Sequence, residues 1–394
     1  MTSRKPIITV LFFLSITVLF CEEQAGRILS IELEQTLLPQ EIDDINEDLF
    51  KGYKAPEAKY SVAVYWVNFE SLYPDGETAI ITSQIFIPIY NDKDLRSMYV
   101  FGAGSTGLRD SCRPSREHIM GIRWGLYRSH VLAHAGQGSI GVLPDYMGFG
   151  DPDRLQYYMV AQCEARVMLD AIRATKNLIK SEGFATISDT AHFVSGFSQG
   201  GHAAFAAADL QREYAPEIAL SGIIGYGPTT DIFSLFREYS DVAPMILFTY
   251  ENLYGSKDFA PSLVLLDKYA TTLEKDLMRM CIGGIQSYYP KVPEGLFKEE
   301  FIEALQNNTV ELHYPRIYQY IQKNSTGLKY HEIPTVIYQG GNDIVVYPET
   351  QREFVSKLTA NEVPVDFVFF KDARHDTRQI SFTQSRDWIN QHTN

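Results

Sequence analysis

Short apolar stretches of strand length alternate with stretches of helical periodicity over most of the chain after residue 98. Strands that alternate with helices form βαβ units, and such units build a mostly parallel sheet. One covering helix is indicated between residues 157 and 180, where apolar or small side chains recur on one helical face. The predicted strands of this region are Met98–Phe101, Ser139–Leu143, Ala191–Phe197, Ala219–Tyr226, Thr335–Tyr338 and Val365–Phe370.

Two further strand-like runs precede this region. Tyr60–Phe69 and Thr78–Pro88 are separated by the turn residues Pro74, Asp75 and Gly76, and this pattern predicts a hairpin. Together with the later strands, the hairpin gives a predicted sheet of eight strands, mostly parallel and flanked by helices.

The segment from about Asp231 to Thr326 interrupts the alternation. It is long, rich in aromatic residues and leucine, and divided by prolines, which predicts several helices. We interpret residues 231–326 as a helical cap inserted into a core formed by residues 22–230 and 327–394. The apolar run Leu263–Leu266 could line a hydrophobic acyl pocket or belong to the interior of the cap itself.

The N-terminus has the pattern of a signal peptide. Arg4 and Lys5 precede an apolar run, residues 7–20, that is shorter than the roughly 20 residues of a membrane-spanning helix. Residues 1–21 are therefore predicted to direct export to an extracytoplasmic location. Cys21 follows the run as in a bacterial lipoprotein signal, but Phe20 stands where such signals carry a small residue. Lipid anchoring through Cys21 at a membrane surface, simple secretion and an uncleaved anchor all stay open.

The composition describes a globular protein and excludes some partners. Hydrophobic residues make up 45% and charged residues 21% of the 394 positions, so the chain can bury a sizeable core. The net charge of −14 argues against nucleic acid as a partner, because neutralising phosphates requires clustered Lys and Arg.

Cysteine and histidine spacing gives no support for a metal or redox site. Beyond Cys21, Cys112, Cys163 and Cys281 allow at most one intramolecular disulfide and leave at least one thiol unpaired. His130 and His134 would share one face of a helix, but the glutamate of the metalloprotease helix does not follow the first histidine. We interpret this pair as structural and predict no metal site.

The strongest chemical signal is the sequence Gly-Phe-Ser-Gln-Gly at residues 196–200. It follows a predicted strand and precedes an alanine-rich helix, the setting of a nucleophile on a tight strand-to-helix turn. Such a turn exposes the Ser198 hydroxyl and directs the N–H of Gln199 toward a developing oxyanion. The alternative is a glycine-rich loop that contains an incidental serine.

A serine nucleophile needs a histidine base and a carboxylate that orients it. Asp343 lies in a glycine-rich loop after the strand 335–338, and His375 lies just beyond the last strand. These two residues are the predicted acid and base; a turn or helix-capping aspartate and a solvated loop histidine are the alternatives, and Asp231 is the competing acid. A second oxyanion donor is expected in the glycine-rich loop after residue 101, from the amide of Thr106 or Ser105.

These residues resemble the secretory lipase group of α/β-hydrolases, whose fungal members are the lipase A type. The similarity runs from about Tyr60 to the C-terminus, although Ala103 stands where relatives carry histidine before the oxyanion loop. The resemblance implies the α/β-hydrolase fold, a helical cap, no metal or organic cofactor, and a Ser198–Asp343–His375 triad. Asp145 belongs to a shared block but precedes the nucleophile, so we interpret it as structural. The matching blocks are residues 104–107, 112–115, 144–150, 164–166, 170–174, 196–202 and 214–217.

The sequence therefore predicts a serine carboxylic-ester hydrolase of the carboxylesterase or triacylglycerol lipase kind, acting on small-molecule or lipid esters through an acyl-enzyme. A peptidase or amidase on the same fold is one alternative, because the triad chemistry is shared. A surface lipoprotein that binds apolar ligands without turnover is the other.

Overall fold

The computed structural model describes residues 24–92, 95–184, 190–255 and 259–393. The predicted signal segment and Cys21 lie outside the described residues. The strands are β1 (Ile28–Leu37), β2 (Val62–Leu72), β3 (Thr78–Pro88), β4 (Arg96–Gly102), β5 (Ile140–Pro144), β6 (Thr190–Phe197), β7 (Leu220–Tyr226), β8 (Thr335–Gly340) and β9 (Val365–Phe370).

All nine strands form one sheet in the order β1-β2-β3-β5-β4-β6-β7-β8-β9. The strands from β5 to β9 pair in parallel, whereas β1, β2 and β3 join through antiparallel ladders. Every residue of β4, β5 and β8 is buried, as expected for central parallel strands covered on both faces. The predicted mostly parallel sheet is thus confirmed.

The prediction of eight strands was wrong by one, because β1 was missed. This strand lies at the edge of the sheet and pairs only with β2. Most of its side chains are exposed or half-buried, so its sequence lacks the apolar run that marked the other strands.

Fourteen α-helices accompany the sheet in the described part of the chain. They are α1 (Pro39–Asn46), α2 (Tyr127–Gly136), α3 (Ala161–Ser181), α4 (Gln199–Tyr214), α5 (Ile232–Glu238), α6 (Ala243–Tyr254), α7 (Asp267–Ala270), α8 (Leu273–Leu277), α9 (Ile282–Tyr288), α10 (Glu299–Gln306), α11 (Val310–His313), α12 (Pro315–Asn324), α13 (Pro348–Ala360) and α14 (Arg378–Gln391). Among the described residues, none of these helices combines the length and apolarity that a membrane crossing would need.

The helices α5 to α12 form an insertion between β7 and β8, which we call the helical insertion. Pro244 and Pro315 stand in the first turns of α6 and α12, where the missing N–H of proline costs no helical hydrogen bond. A disulfide between Cys112 and Cys281 joins the start of α9 to the loop after β4, and Cys163 is a buried free thiol. The helical insertion is therefore covalently fastened to the sheet core beside the predicted oxyanion loop.

Candidate active site

Ser198 occupies the turn between β6 and α4. Its backbone has φ 54° and ψ −113°, a strained conformation for a residue with a Cβ. A Cβ on Gly196 would overlap the backbone of Gly200, and a Cβ on Gly200 would overlap the carbonyl of Gly102. Glycine at both positions therefore permits the close approach of strand and helix that holds the serine in this conformation.

Asp343 and His375 come from the loops that follow β8 and β9. His375 Nδ1 lies 2.8 Å from Oδ2 of Asp343. The other carboxylate oxygen of Asp343 accepts the N–H groups of Val345 (2.8 Å) and Val346 (3.0 Å). Because β8 and β9 are adjacent parallel strands, their carboxyl ends meet at one edge of the sheet and bring these loops together.

A cavity of about 210 Å³ contains both Ser198 and His375 in its lining. The imidazole of His375 packs against the ring of Phe197, with the centroids 4.8 Å apart. Nε2 of His375 is buried and forms no hydrogen bond with any residue that the structure describes. The structure thus brings Ser198 and the His375–Asp343 pair to one cavity, without a direct hydrogen bond from Nε2 to the serine.

Of the predicted oxyanion donors, Gln199 and Ser105 line the cavity, whereas Thr106 does not. Gln199 is buried and opens α4, where the first N–H groups have no acceptor within the helix. The hydroxyl of Ser105 lies 2.7 Å from that of Tyr158. Thr106 is buried, and its carbonyl accepts the N–H of Ile282 at 2.8 Å. The roles of Gln199 and Thr106 stay predictions.

Two other carboxylates that the sequence singled out have partners elsewhere. Asp231 caps α5 through the N–H of Phe233 (2.9 Å), and His375 is bonded to Asp343 instead. Asp145 accepts the N–H and the hydroxyl of Ser115 at 2.9 and 2.6 Å, and burial raises its pKa to about 6.

The histidine pair of α2 lies in an aromatic part of the core. Both rings are buried, and His134 stacks on Tyr99 at a centroid separation of 4.1 Å. Burial lowers the pKa of His130 well below its ordinary value and that of His134 to about 3. In the described part of the chain, no cluster of three His, Cys, Asp or Glu residues is placed to hold a metal ion.

The helical insertion contributes part of the cavity wall, but through residues that the sequence did not single out. Val264 and Leu265 are fully buried within the insertion, and the run Leu263–Leu266 does not contribute to the lining. The pattern of apolar residues indicated burial but could not indicate which surface each residue faces. The insertion residues in the lining are Leu235, Tyr239, Val242, Ile282 and Gln286.

Burial dominates the electrostatics of the remaining wall. It raises the pKa of the phenols of Tyr127 and Tyr158, which therefore stay neutral hydrogen-bonding groups. Asp241 lies next to the lining residue Val242, and burial raises the pKa of its carboxyl to about 7.

Solved structures with the same fold include enzymes that act on esters. A rice cell wall degrading esterase LipA from Xanthomonas oryzae is 16% identical, with a TM-score of 0.77 over 94% of this chain and 100% of the esterase. Candida antarctica lipase A is 18% identical, with a TM-score of 0.68 over 94% of this chain and 82% of the lipase. A candidate hydrolase from Legionella pneumophila is 17% identical, with a TM-score of 0.77 over 93% and 98% of the two chains. At these identities the likeness establishes the α/β-hydrolase fold.

The sheet and the serine turn place the molecule in the class of α/β-hydrolases. Residues 118–390, which are more than half of the chain, match the family model of the secretory lipases. The chain belongs to the secretory lipase family and is a hydrolase of the lipase and esterase kind; membership also suggests export. No curated protein matches it in sequence.

Proposed function

We propose that this protein is an exported serine carboxylic-ester hydrolase with Ser198 as nucleophile, His375 as base and Asp343 as the orienting acid. One observation carries the proposal. Ser198, held in a strained turn, shares a cavity with His375, whose Nδ1 is bonded to the buried Asp343. That arrangement is what activation of a serine hydroxyl requires.

The proposed reaction has two steps. His375 Nε2 takes the proton of Ser198, and the serine oxygen attacks the ester carbonyl to give a tetrahedral oxyanion. Return of that proton to the leaving alcohol produces the acyl-enzyme, which water hydrolyses by the same route. Asp343 keeps the N–H of His375 on Nδ1, so that Nε2 is free to accept. The amides of Val345 and Val346 hold the carboxylate in this orientation.

We assign the oxyanion site to the N–H of Gln199 and to the loop of Ser105 and Thr106. The N-terminus of α4 favours negative charge beside Gln199. The helical insertion then acts as the cap, since it supplies one wall of the cavity. The Cys112–Cys281 disulfide is in keeping with an oxidising, extracytoplasmic compartment. Anchoring through Cys21 at a membrane surface is retained as a proposal.

The test compares Ser198→Ala with Ser195→Ala. Ser195 is a matched control because it is buried on β6, the strand that leads into the nucleophile turn, and its hydroxyl donates to the carbonyl of Val100, away from the cavity. Hydrolysis of p-nitrophenyl butyrate should fall by several orders of magnitude in Ser198→Ala and stay near wild type in Ser195→Ala. Equal activity of Ser198→Ala and wild type would refute the assignment.

A substrate panel separates the alternative functions. The wild-type protein should hydrolyse p-nitrophenyl esters much faster than the matching p-nitroanilides. Faster cleavage of the anilides would favour a peptidase or amidase. The absence of turnover on either series would favour a ligand-binding protein.

A further inference from the structure

A buried glutamate is hydrogen-bonded to the residue that follows the nucleophile. Glu164, in the first turn of α3, is 1% exposed. Its Oε1 accepts hydrogen bonds from the side-chain amide of Gln199 (2.8 Å) and from the backbone N–H of Met159 (3.0 Å). Its Oε2 lies 2.5 Å from Nδ1 of His202 on α4. Every polar partner of this carboxylate is therefore inside the protein.

The two residues that donate to Oε1, Gln199 and Met159, both line the cavity. Gln199 follows the nucleophile, and its backbone N–H is the proposed oxyanion donor. Met159 also lines the cavity and has φ 54°, a left-handed conformation that a residue with a Cβ adopts only when its surroundings enforce it. Two bonds enforce it here, one from the Met159 N–H to Glu164 and one from the hydroxyl of Tyr250 to the Met159 carbonyl at 2.7 Å.

His202 holds the second oxygen of this carboxyl. Its Nδ1 faces Oε2 of Glu164, and its Nε2 lies 2.6 Å from the carbonyl of Asn324, so both ring nitrogens have partners inside the protein.

The same network reaches the end of the helical insertion. Asn324 is the last residue of α12, and its side-chain oxygen accepts the N–H of Ala161 at 3.1 Å. The start of α3, the nucleophile helix α4 and the end of the insertion thus meet at His202 and Glu164.

We propose that Glu164, paired with His202, is a positioning residue for the oxyanion side of the site. It fixes Gln199 and Met159 relative to Ser198 and touches no substrate itself. The inference rests on the proposed function, because it assigns the Gln199 N–H to the transition state.

The test is Glu164→Gln, a substitution of nearly equal shape that replaces one oxygen of the carboxyl by an amide N–H group, so that a single acceptor oxygen is left for three partners. We would measure kcat and KM for p-nitrophenyl butyrate per active site, after counting active sites with a fluorophosphonate. We would also measure Ki for an alkyl boronic acid, whose tetrahedral adduct with Ser198 imitates the oxyanion. We expect kcat to fall about tenfold or more with KM nearly unchanged, and Ki to rise in parallel with the loss of kcat/KM.

Asp170→Asn is the matched control. Asp170 lies on the same helix, is fully buried, and accepts hydrogen bonds from Ser71 (2.6 Å) and Tyr214 (2.8 Å) away from the cavity. It should lower the melting temperature and leave kcat per active site unchanged. A Glu164→Gln enzyme that behaves like this control, less stable but with wild-type kcat and Ki, would overturn the proposal.

A second variant covers the case in which Glu164→Gln does not fold. Gln199→Met removes the side-chain link to Glu164 but keeps the backbone N–H, so kcat should again fall and wild-type kcat would overturn the proposal. Full activity of Ser198→Ala would reject the proposed function, whereas an inactive Ser198→Ala with wild-type kcat in Glu164→Gln and Gln199→Met would reject only the role of Glu164.

Discussion

Replacement of Asp343 by asparagine tests the orienting role of the acid with little change in shape. The asparagine oxygen can still accept the N–H groups of Val345 and Val346, so the loop should keep its conformation. Its amide N–H would then face Nδ1 of His375, now 2.8 Å from a carboxylate oxygen. The imidazole would have to accept at Nδ1 and carry its proton on Nε2, which could no longer receive a proton from Ser198.

The expected loss is a fall in kcat of about 10⁴-fold, equivalent to about 5 kcal/mol of transition-state stabilisation. The assay is hydrolysis of p-nitrophenyl butyrate by Asp343→Asn, with thermal unfolding to show that the variant is folded. Asp231→Asn serves as the control, because that carboxylate caps α5 and should affect stability only. Near wild-type kcat in Asp343→Asn, or a large loss in Asp231→Asn instead, would refute the assignment of the acid.

Three further predictions concern stability and substrate size. Burial lowers the pKa of His134 to about 3, so as the pH falls this histidine is protonated in the unfolded state before it is protonated in the folded state, and the free energy of unfolding should decrease between pH 6.5 and 3. His134→Leu should therefore take up about one proton fewer on unfolding at pH 5. An unchanged pH dependence of the unfolding free energy in this variant would contradict the prediction. The double variant Cys112→Ala/Cys281→Ala, which lacks the disulfide, should have a free energy of unfolding about 5 kcal/mol lower in denaturant titrations, because the disulfide closes a loop with a sequence separation of 169. An unchanged unfolding midpoint would contradict this prediction. The cavity of about 210 Å³ should favour short acyl chains, so kcat/KM should decrease from p-nitrophenyl butyrate to palmitate, and a steady increase would contradict this.

The fold was largely predictable because its parallel strands are continuous apolar runs between helices. The predicted bounds of β3 and β9 agree with the structure at both ends. The edge strand β1 was not predictable in the same way. It has one hydrogen-bonded neighbour and few buried side chains, so neither apolar content nor turn residues marked it.

The candidate site, too, was predictable only in part. Ser198, Asp343 and His375 could be placed because each follows a recognisable strand, and parallel strands bring their carboxyl ends together. The contacts within the helical insertion could not be predicted from the sequence, because an apolar pattern such as Leu263–Leu266 does not reveal which surface a side chain faces. The bond between Glu164 and Gln199 joins residues 35 positions apart, and only a charged residue on a mostly buried helix hinted at it.

The most direct test is to identify the residue that reacts with a fluorophosphonate. An activated serine oxygen attacks the phosphorus and releases fluoride, which leaves a stable adduct that peptide mass spectrometry can locate. We predict stoichiometric labelling of Ser198 that runs in parallel with the loss of esterase activity and disappears in His375→Ala. Labelling of another residue, or full esterase activity after complete labelling of Ser198, would contradict the proposed mechanism.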